Sequence, residues 1–286
     1  MRIVHEPIIL KGNDYFMYPE VLRDVIVDLY EPADVGIEIT FPECPSVIWP
    51  SVLLENVIVR GPFTTGIRLK NCWNATLRDC FVTGVMHEQT DAQLENATMQ
   101  VGIDLCGSMD VHITNPRITC TQTAIQVADY DMQGHGEGLH VTGGFLMHNH
   151  VGVRLKGFGS GGWPTPNAWI RDVHIPATRA GVFATKWTGI HVTDCDFYVV
   201  QPDAQAWGVY LAEGCTEAVL SNNRIWRTQP HAFLGGYVLD GCQDVLLSGQ
   251  VGATANLGLW ALNNCSRITN QLVVAPGVPM FDHSQP

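Results

Sequence analysis

Residues 66–82, GIRLKNCWNATLRDCFV, and residues 208–225, GVYLAEGCTEAVLSNNRI, follow one template although more than a hundred positions separate them. A small residue is followed by apolar, any, apolar. After a short turn come apolar, any, apolar, any, then Asn or Asp, with a further apolar residue three later. The same pattern returns in GIDLCGSMDVHITNPRI from Gly102, YVLDGCQDVLLSGQV from Tyr237 and GLWALNNCSRITNQLV from Gly258. Weaker copies start near Pro7, Gly36, Ala124, Gly152 and Gly181. The steps average roughly 28 residues, a period that belongs to solenoids.

Three columns give the repeat physical content. The residue two before the Asn/Asp position runs Leu22, Leu54, Leu77, Ile113, Val141, Ile170, Val192, Leu220, Leu247 and Ile268. Alternation around it is the period-two signature of a strand with one buried face. The Asn/Asp column runs Asp24, Asn56, Asp79, Asn115, Asp172, Asp194, Asn222 and Asn270, with Gly143 and Gly249 substituting. These residue types accept left-handed backbone, so they mark a repeated corner. Cys72, Cys215, Cys242 and Cys265, with Ser108, form a third column at the turn after the first strand, where a small hydrophobe fits a tight stack. Residues 19–30 also fit a helix through Leu22, Val25, Ile26 and Leu29, but alignment of Val21 onward with Leu53 onward favours strand.

The fold class that follows is all-β: one right-handed parallel β-helix of about ten coils, treated as a single domain over residues 1–286 with coils from about 7 to 275. The consensus resembles the pectin-lyase-like right-handed β-helix family, including the central domains of phage tailspikes. That resemblance covers nearly the whole chain and specifies fold better than activity. It implies a homotrimer, made in a host cytoplasm and placed in a virion beside other virion proteins. It also implies flanking particle-binding and trimerisation domains. Only six residues precede the first copy at Pro7, so the chain is expected to be a fragment or to be anchored by its sides.

Bulk composition narrows the partner. A formal charge of -12, from 28 acidic and 16 basic residues, repels nucleic acid and anionic membrane surfaces. Only 15% of residues are charged, while Gly, Trp and amide side chains are plentiful, as on surfaces that hold sugars. The opening MRIVHEPIIL has no secretory pattern, and no apolar run is long enough to span a membrane as a helix. Nine cysteines without a CxxC pair read as reduced, buried thiols, and no cofactor is called for.

Chemistry in such a fold belongs to outward residues and enlarged turns. Insertions follow the first strand in the coils from Ala124 (ADYDMQGHGEG, residues 128–138) and Gly152 (GFGSGGWPTPN, residues 157–167), and Lys186, Trp187, Glu213 and Asp240 occupy the same turn further on. Glycoside hydrolysis needs two carboxyl groups. Glu213 with Asp240 is the first pair expected to supply them, and Asp129 with Glu137 the second. Asp131, His135, Trp163, Lys186 and Trp187 would line the same ridge. The outward column of the first strand, Arg68, Asp104, Gln126, Arg154, Phe183, Tyr210, Val238 and Trp260, adds Arg154 and Tyr210 as substrate contacts. A lyase would use Arg154 and Lys156 to hold a uronate, but no Asp triplet for a calcium site is seen.

His112, His140 and His191 share an outward column with Trp169, which interrupts any metal reading. HNH at residues 148–150 reads as a loop. The leading expectation is therefore a tailspike-like protein that binds bacterial surface polysaccharide and hydrolyses it. A non-enzymatic trimeric virion decoration is the rival, and a microbial polysaccharide lyase the third reading.

Overall fold

The computed structural model describes residues 2–11, 20–41, 51–72, 74–85, 94–108, 110–127, 138–157, 167–199, 205–227, 232–252 and 255–280. Twenty-five strands lie among them, and their pairings are parallel, each strand bonding to its copy one coil away. Each return to the same sheet is a parallel crossover, and strand twist makes such crossovers right-handed. Three faces result.

Sheet 1 is centred on the inward ladder Ile8, Ile37, Ile67, Ile103, Ile125, Val153, Val182, Val209, Tyr237 and Leu259. Nine of its ten rungs fall one residue after a copy start read from the sequence, and the other, Tyr237, is itself the start of its copy. Sheet 2 carries the aliphatic column from Leu22 to Leu247 in register. Sheet 3 stacks Val4, Val27, Val59, Val82, Ile118 and Leu146, then Ile175, Phe197, Ile225, Val251 and Val274. The core runs continuously between the faces, with Leu77, Ile113 and Leu220 at 1% exposure or less. Residues 20–28, readable as helix, form strands Glu20–Arg23 and Val25–Asp28.

Close stacking of coils explains the template. A Cβ on Gly66, Gly102, Gly152, Gly181 or Gly208 would lie 2.5–2.9 Å from the carbonyl oxygen of the equivalent residue in the next coil. Only a very small residue leaves that oxygen room. Asp24, Asn56, Asp79, Asn115, Asp172, Asp194 and Asn222 all take left-handed backbone, φ 52–57°, between sheets 2 and 3. The last coil departs from the expectation. Asn270, not Ile268, pairs with Leu247, and Ile268 pairs with Val245, so Asn270 is no corner and strand Ser266–Val274 runs on into sheet 3.

The thiol column stands as read, with Cys72 N–H donating to Ser108 Oγ at 3.0 Å and Cys242 N–H to Cys265 Sγ at 3.4 Å. Burial pushes the Cys72 and Cys80 thiols up to about 12, which removes their reactivity in the folded state. His112, His140, Trp169 and His191 stack along sheet 2, with successive ring centroids 4.4, 4.3 and 5.7 Å apart.

The HNH segment is not a loop. It lies inside strand Phe145–Lys156, where His148 takes φ 51° and turns the chain from sheet 3 toward sheet 1. Burial lowers the proton affinity of His148 and of His150, and for His150 the Arg179 charge adds to it. His150 Nδ1 is 3.0 Å from Thr178 Oγ1. The unfolded chain therefore binds these protons first as pH falls below the ordinary histidine value of 6.5. Stability is expected to be level above that pH and to decline through the range where the folded histidines titrate. Urea midpoints measured from pH 7.5 to 5 check this; the His150→Gln variant should show a shallower decline, and an unchanged slope counts against the assignment.

Candidate functional site

The outward column of sheet 1 is the surface on which chemistry-bearing side chains accumulate. Parallel register sets Glu38, Arg68, Asp104, Gln126, Arg154, Phe183, Tyr210, Val238 and Trp260 one above another. Its first part is closed upon itself. Arg68 reaches Glu38 at 3.3 Å, Asp104 at 3.4 Å and Asp34 at 3.5 Å, and also donates to Thr65 Oγ1 at 3.0 Å. From Arg154 onward the carboxylates stop and rings take over.

Arg179, Gln205, Trp207, Tyr210 and Phe233 line a cleft of about 440 Å³ on this second part. Strand Gln205–Ala212 supplies three of the five, and strands His174–Thr185 and Phe233–Asp240 on either side supply the others. Trp207 pairs with Gly235, whose missing side chain gives the indole room; a Cβ there would collide with the ring. The indole meets Phe233 edge-on at 5.3 Å and lies 5.9 Å from Trp260, which is 39% exposed. Phe183 meets Tyr210 edge-on at 5.3 Å, and the guanidinium carbons of Arg154 and Arg179 stand 6.0 and 5.8 Å from the Phe183 centroid. Flat apolar faces bordered by amide, phenol and guanidinium donors form a platform for a ring that is apolar on its faces and hydroxylated at its edge.

Of the residues singled out from sequence, Arg154 and Tyr210 belong to this surface. Glu213 and Lys186 do not line the cleft: both take left-handed backbone at the corner after sheet 1, and they pair with each other at 3.5 Å, both 58% exposed. Asp240 ends its strand on the neighbouring coil and accepts a 2.6 Å hydrogen bond from Asn263 Nδ2. The two carboxylates thus reach away from each other along the helix, Glu213 toward the preceding coil and Asp240 toward the following one.

Trp187 is corrected outright. At 1% exposure it is among the largest buried side chains, so it offers no face to a ligand. The strand that begins just after it pairs Thr188 with Thr216, which sets Trp187 level with Cys215 in the inward thiol column. Asp129, Asp131, His135, Glu137 and Trp163 lie outside the described residues. Trp207, Phe233, Gln205 and Arg179 were not singled out, because all four precede the small residue with which the template begins. Among the described residues no group of three or more His, Cys, Asp or Glu side chains is placed to hold a metal ion.

No protein-family model matches the chain, and no curated protein sequence matches it. Solved structures do. The A-module of the Azotobacter vinelandii mannuronan C-5 epimerase AlgE6 superposes with TM-score 0.57 at 12% identity, over 96% of this chain and 80% of that one. The chain is a right-handed parallel β-helix. Two further β-helix structures align at lower scores: the Streptococcus pneumoniae surface protein and adhesin PfbA, with TM-score 0.44, 10% identity and coverage of 93% and 91%, and a tailspike protein of Escherichia coli bacteriophage HK620 in complex with pentasaccharide. For the tailspike the TM-score is 0.33 and the identity 11%, and this β-helix covers 57% of that chain with 96% of its own.

Proposed function

We propose that this protein binds a polysaccharide along the outer face of sheet 1, in the cleft made by Trp207, Tyr210, Phe233, Gln205 and Arg179. The observation that carries the reading is the run of rings from Phe183 to Trp260 laid over consecutive coils and bordered by hydrogen-bond donors. At about 4.8 Å per coil, a linear glycan lying along the axis meets a fresh ring at nearly every step. The mannuronan epimerase whose fold the chain shares acts, by its name, on a polysaccharide, which is in keeping with this use of the fold.

The finer reading is a tailspike-like role: a homotrimeric virion protein that attaches to bacterial capsule or O-antigen. It rests on the resemblance of the repeat to tailspike central domains. Turnover by hydrolysis would engage Glu213 and Asp240. Binding has more support than turnover, because among the described residues no carboxyl group lines the cleft, while hydrolysis needs two about 5–9.5 Å apart.

The test is a panel of bacterial capsular polysaccharides and O-antigens, scored for binding, for new reducing ends and for unsaturated products, on protein whose stoichiometry is read by light scattering. Saturable binding to a member of the panel is expected, with the protein a trimer. Reducing ends that vanish in Glu213→Gln or Asp240→Asn would move the reading to a hydrolase, and unsaturated ends to a lyase. Neither binding nor cleavage across the panel would overturn it in favour of a structural virion post.

A further inference from the structure

We infer that the glycan held on sheet 1 is acidic, and that Arg154 and Arg179 together receive a sugar carboxylate beside the Phe183 ring. The inference rests on the polysaccharide-binding reading of the same face and names its substrate class. It starts from a contrast within the protein. Arg23, Arg60, Arg68, Arg78, Arg171 and Arg267 each hold a carboxylate at 2.5–3.5 Å. Among the described residues Arg2, Arg117, Arg154, Arg179 and Arg224 hold none, and of these Arg154 and Arg179 share a single ring; both are exposed.

In a chain with a formal charge of -12, two guanidinium groups gathered at one ring without a carboxylate need a cause. Solubility does not supply one, because the surplus of acid already does. The column itself gives an internal control: Arg68 occupies the position of Arg154 three coils earlier, and there Asp34, Glu38 and Asp104 surround it. At Phe183 the next coil presents a ring in place of an acid. Two guanidinium groups gather at that ring, at 6.0 and 5.8 Å, one from the preceding coil and one from Phe183's own strand.

Arg179 also lines the cleft beside Trp207 and Tyr210. A sugar ring resting on the indole would therefore bring an equatorial substituent toward the two cations. The guanidinium fork matches the two oxygens of a carboxylate, and the cation–π contact with Phe183 uses none of its N–H donors. A neutral glycan would leave both charges unmatched, so the site discriminates by sign as well as by shape.

The panel above is run again with each polysaccharide presented in its native form and after chemical reduction of its carboxyl groups to alcohols. Every polysaccharide that binds is expected to carry carboxylates, and to lose at least about tenfold in affinity on reduction. Arg154→Gln and Arg179→Gln should each lose a similar factor toward the native form, and little toward the reduced one, with unchanged melting curves because both side chains are exposed. Affinity should also fall with added salt. Binding of neutral polysaccharides, or equal affinity before and after reduction, overturns the inference while leaving glycan binding intact. Arginine variants that bind like the parent overturn it as well. Absence of binding to any form defeats the broader reading and takes this one with it.

Discussion

Replacing Asn149 by leucine is expected to destabilise the protein by about 3–5 kcal/mol, although the two side chains are close in volume. Asn149 is fully buried where strand Phe145–Lys156 bends from sheet 3 into sheet 1, and the register with the next coil shifts on both sides of it. Its amide does the work the ladder leaves undone. Oδ1 accepts from Thr121 N–H at 3.2 Å and from Thr121 Oγ1 at 2.8 Å, and Nδ2 donates to the Ile118 carbonyl at 3.0 Å. Leucine would strand an N–H, a hydroxyl and a carbonyl in the core, each costing about 1–3 kcal/mol when unpaired. Equilibrium urea unfolding measures the total. Because coils of a solenoid open with some independence, hydrogen exchange should show the loss first around Thr121 and Ile118. Pairing the substitution with Thr121→Val should cost less than the sum of the two, since they share one set of bonds. A loss under about 1 kcal/mol would mean that the bend holds itself without the amide.

The fold was legible because stacking makes every coil repeat the same demands. A small residue is required wherever a carbonyl of the next coil would otherwise be struck, and a left-handed corner wherever Asp24 and its equivalents stand. The misreadings of Trp187 and Asn270 share one physical origin. The thiol column points inward, and the inward column of sheet 2 follows it by five positions: Cys72 and Leu77, Ser108 and Ile113, Cys215 and Leu220, Cys242 and Leu247. The same count from Cys265 lands on Asn270, and five positions before Val192 stands Trp187. Register pinned by neighbouring coils therefore overrode side-chain type, burying an indole at a turn that looked exposed. In the last coil it placed a polar Asn on the inward column, where half-burial at the end of the stack is tolerable.

The site was legible only in part. Arg154 and Tyr210 lie on the outward side of the first strand and were found by alternation. Trp207, Gln205 and Phe233 lie just ahead of it, at the start of strands Gln205–Ala212 and Phe233–Asp240 and before the small residue with which the template begins. A usable signal was present nonetheless. Gly235 stands immediately before Gly236 at a position where Trp207 stands before Gly208, so a large side chain faces an empty place one coil away.

That complementarity sets up the second large effect. Trp207→Ala is expected to weaken glycan binding by roughly 2 kcal/mol, about thirtyfold, while the melting curve stays near that of the parent. The indole lies on the cleft wall at intermediate exposure, so truncation removes a ligand surface more than a core contact. Trp207→Phe should recover part of the loss, because a smaller flat face remains. Gly235→Ala provides the independent check: it removes no cleft side chain yet pushes a methyl group into the indole, so its binding should fall toward that of Trp207→Ala. Calorimetric titration with a polysaccharide identified by the panel reads all three. If Trp207→Ala binds as the parent does, the rings over Gly235 are packing for the outer face and the sugar must lie elsewhere. If only Gly235→Ala loses binding, the backbone at the start of strand Phe233–Asp240, and not the indole, shapes the cleft.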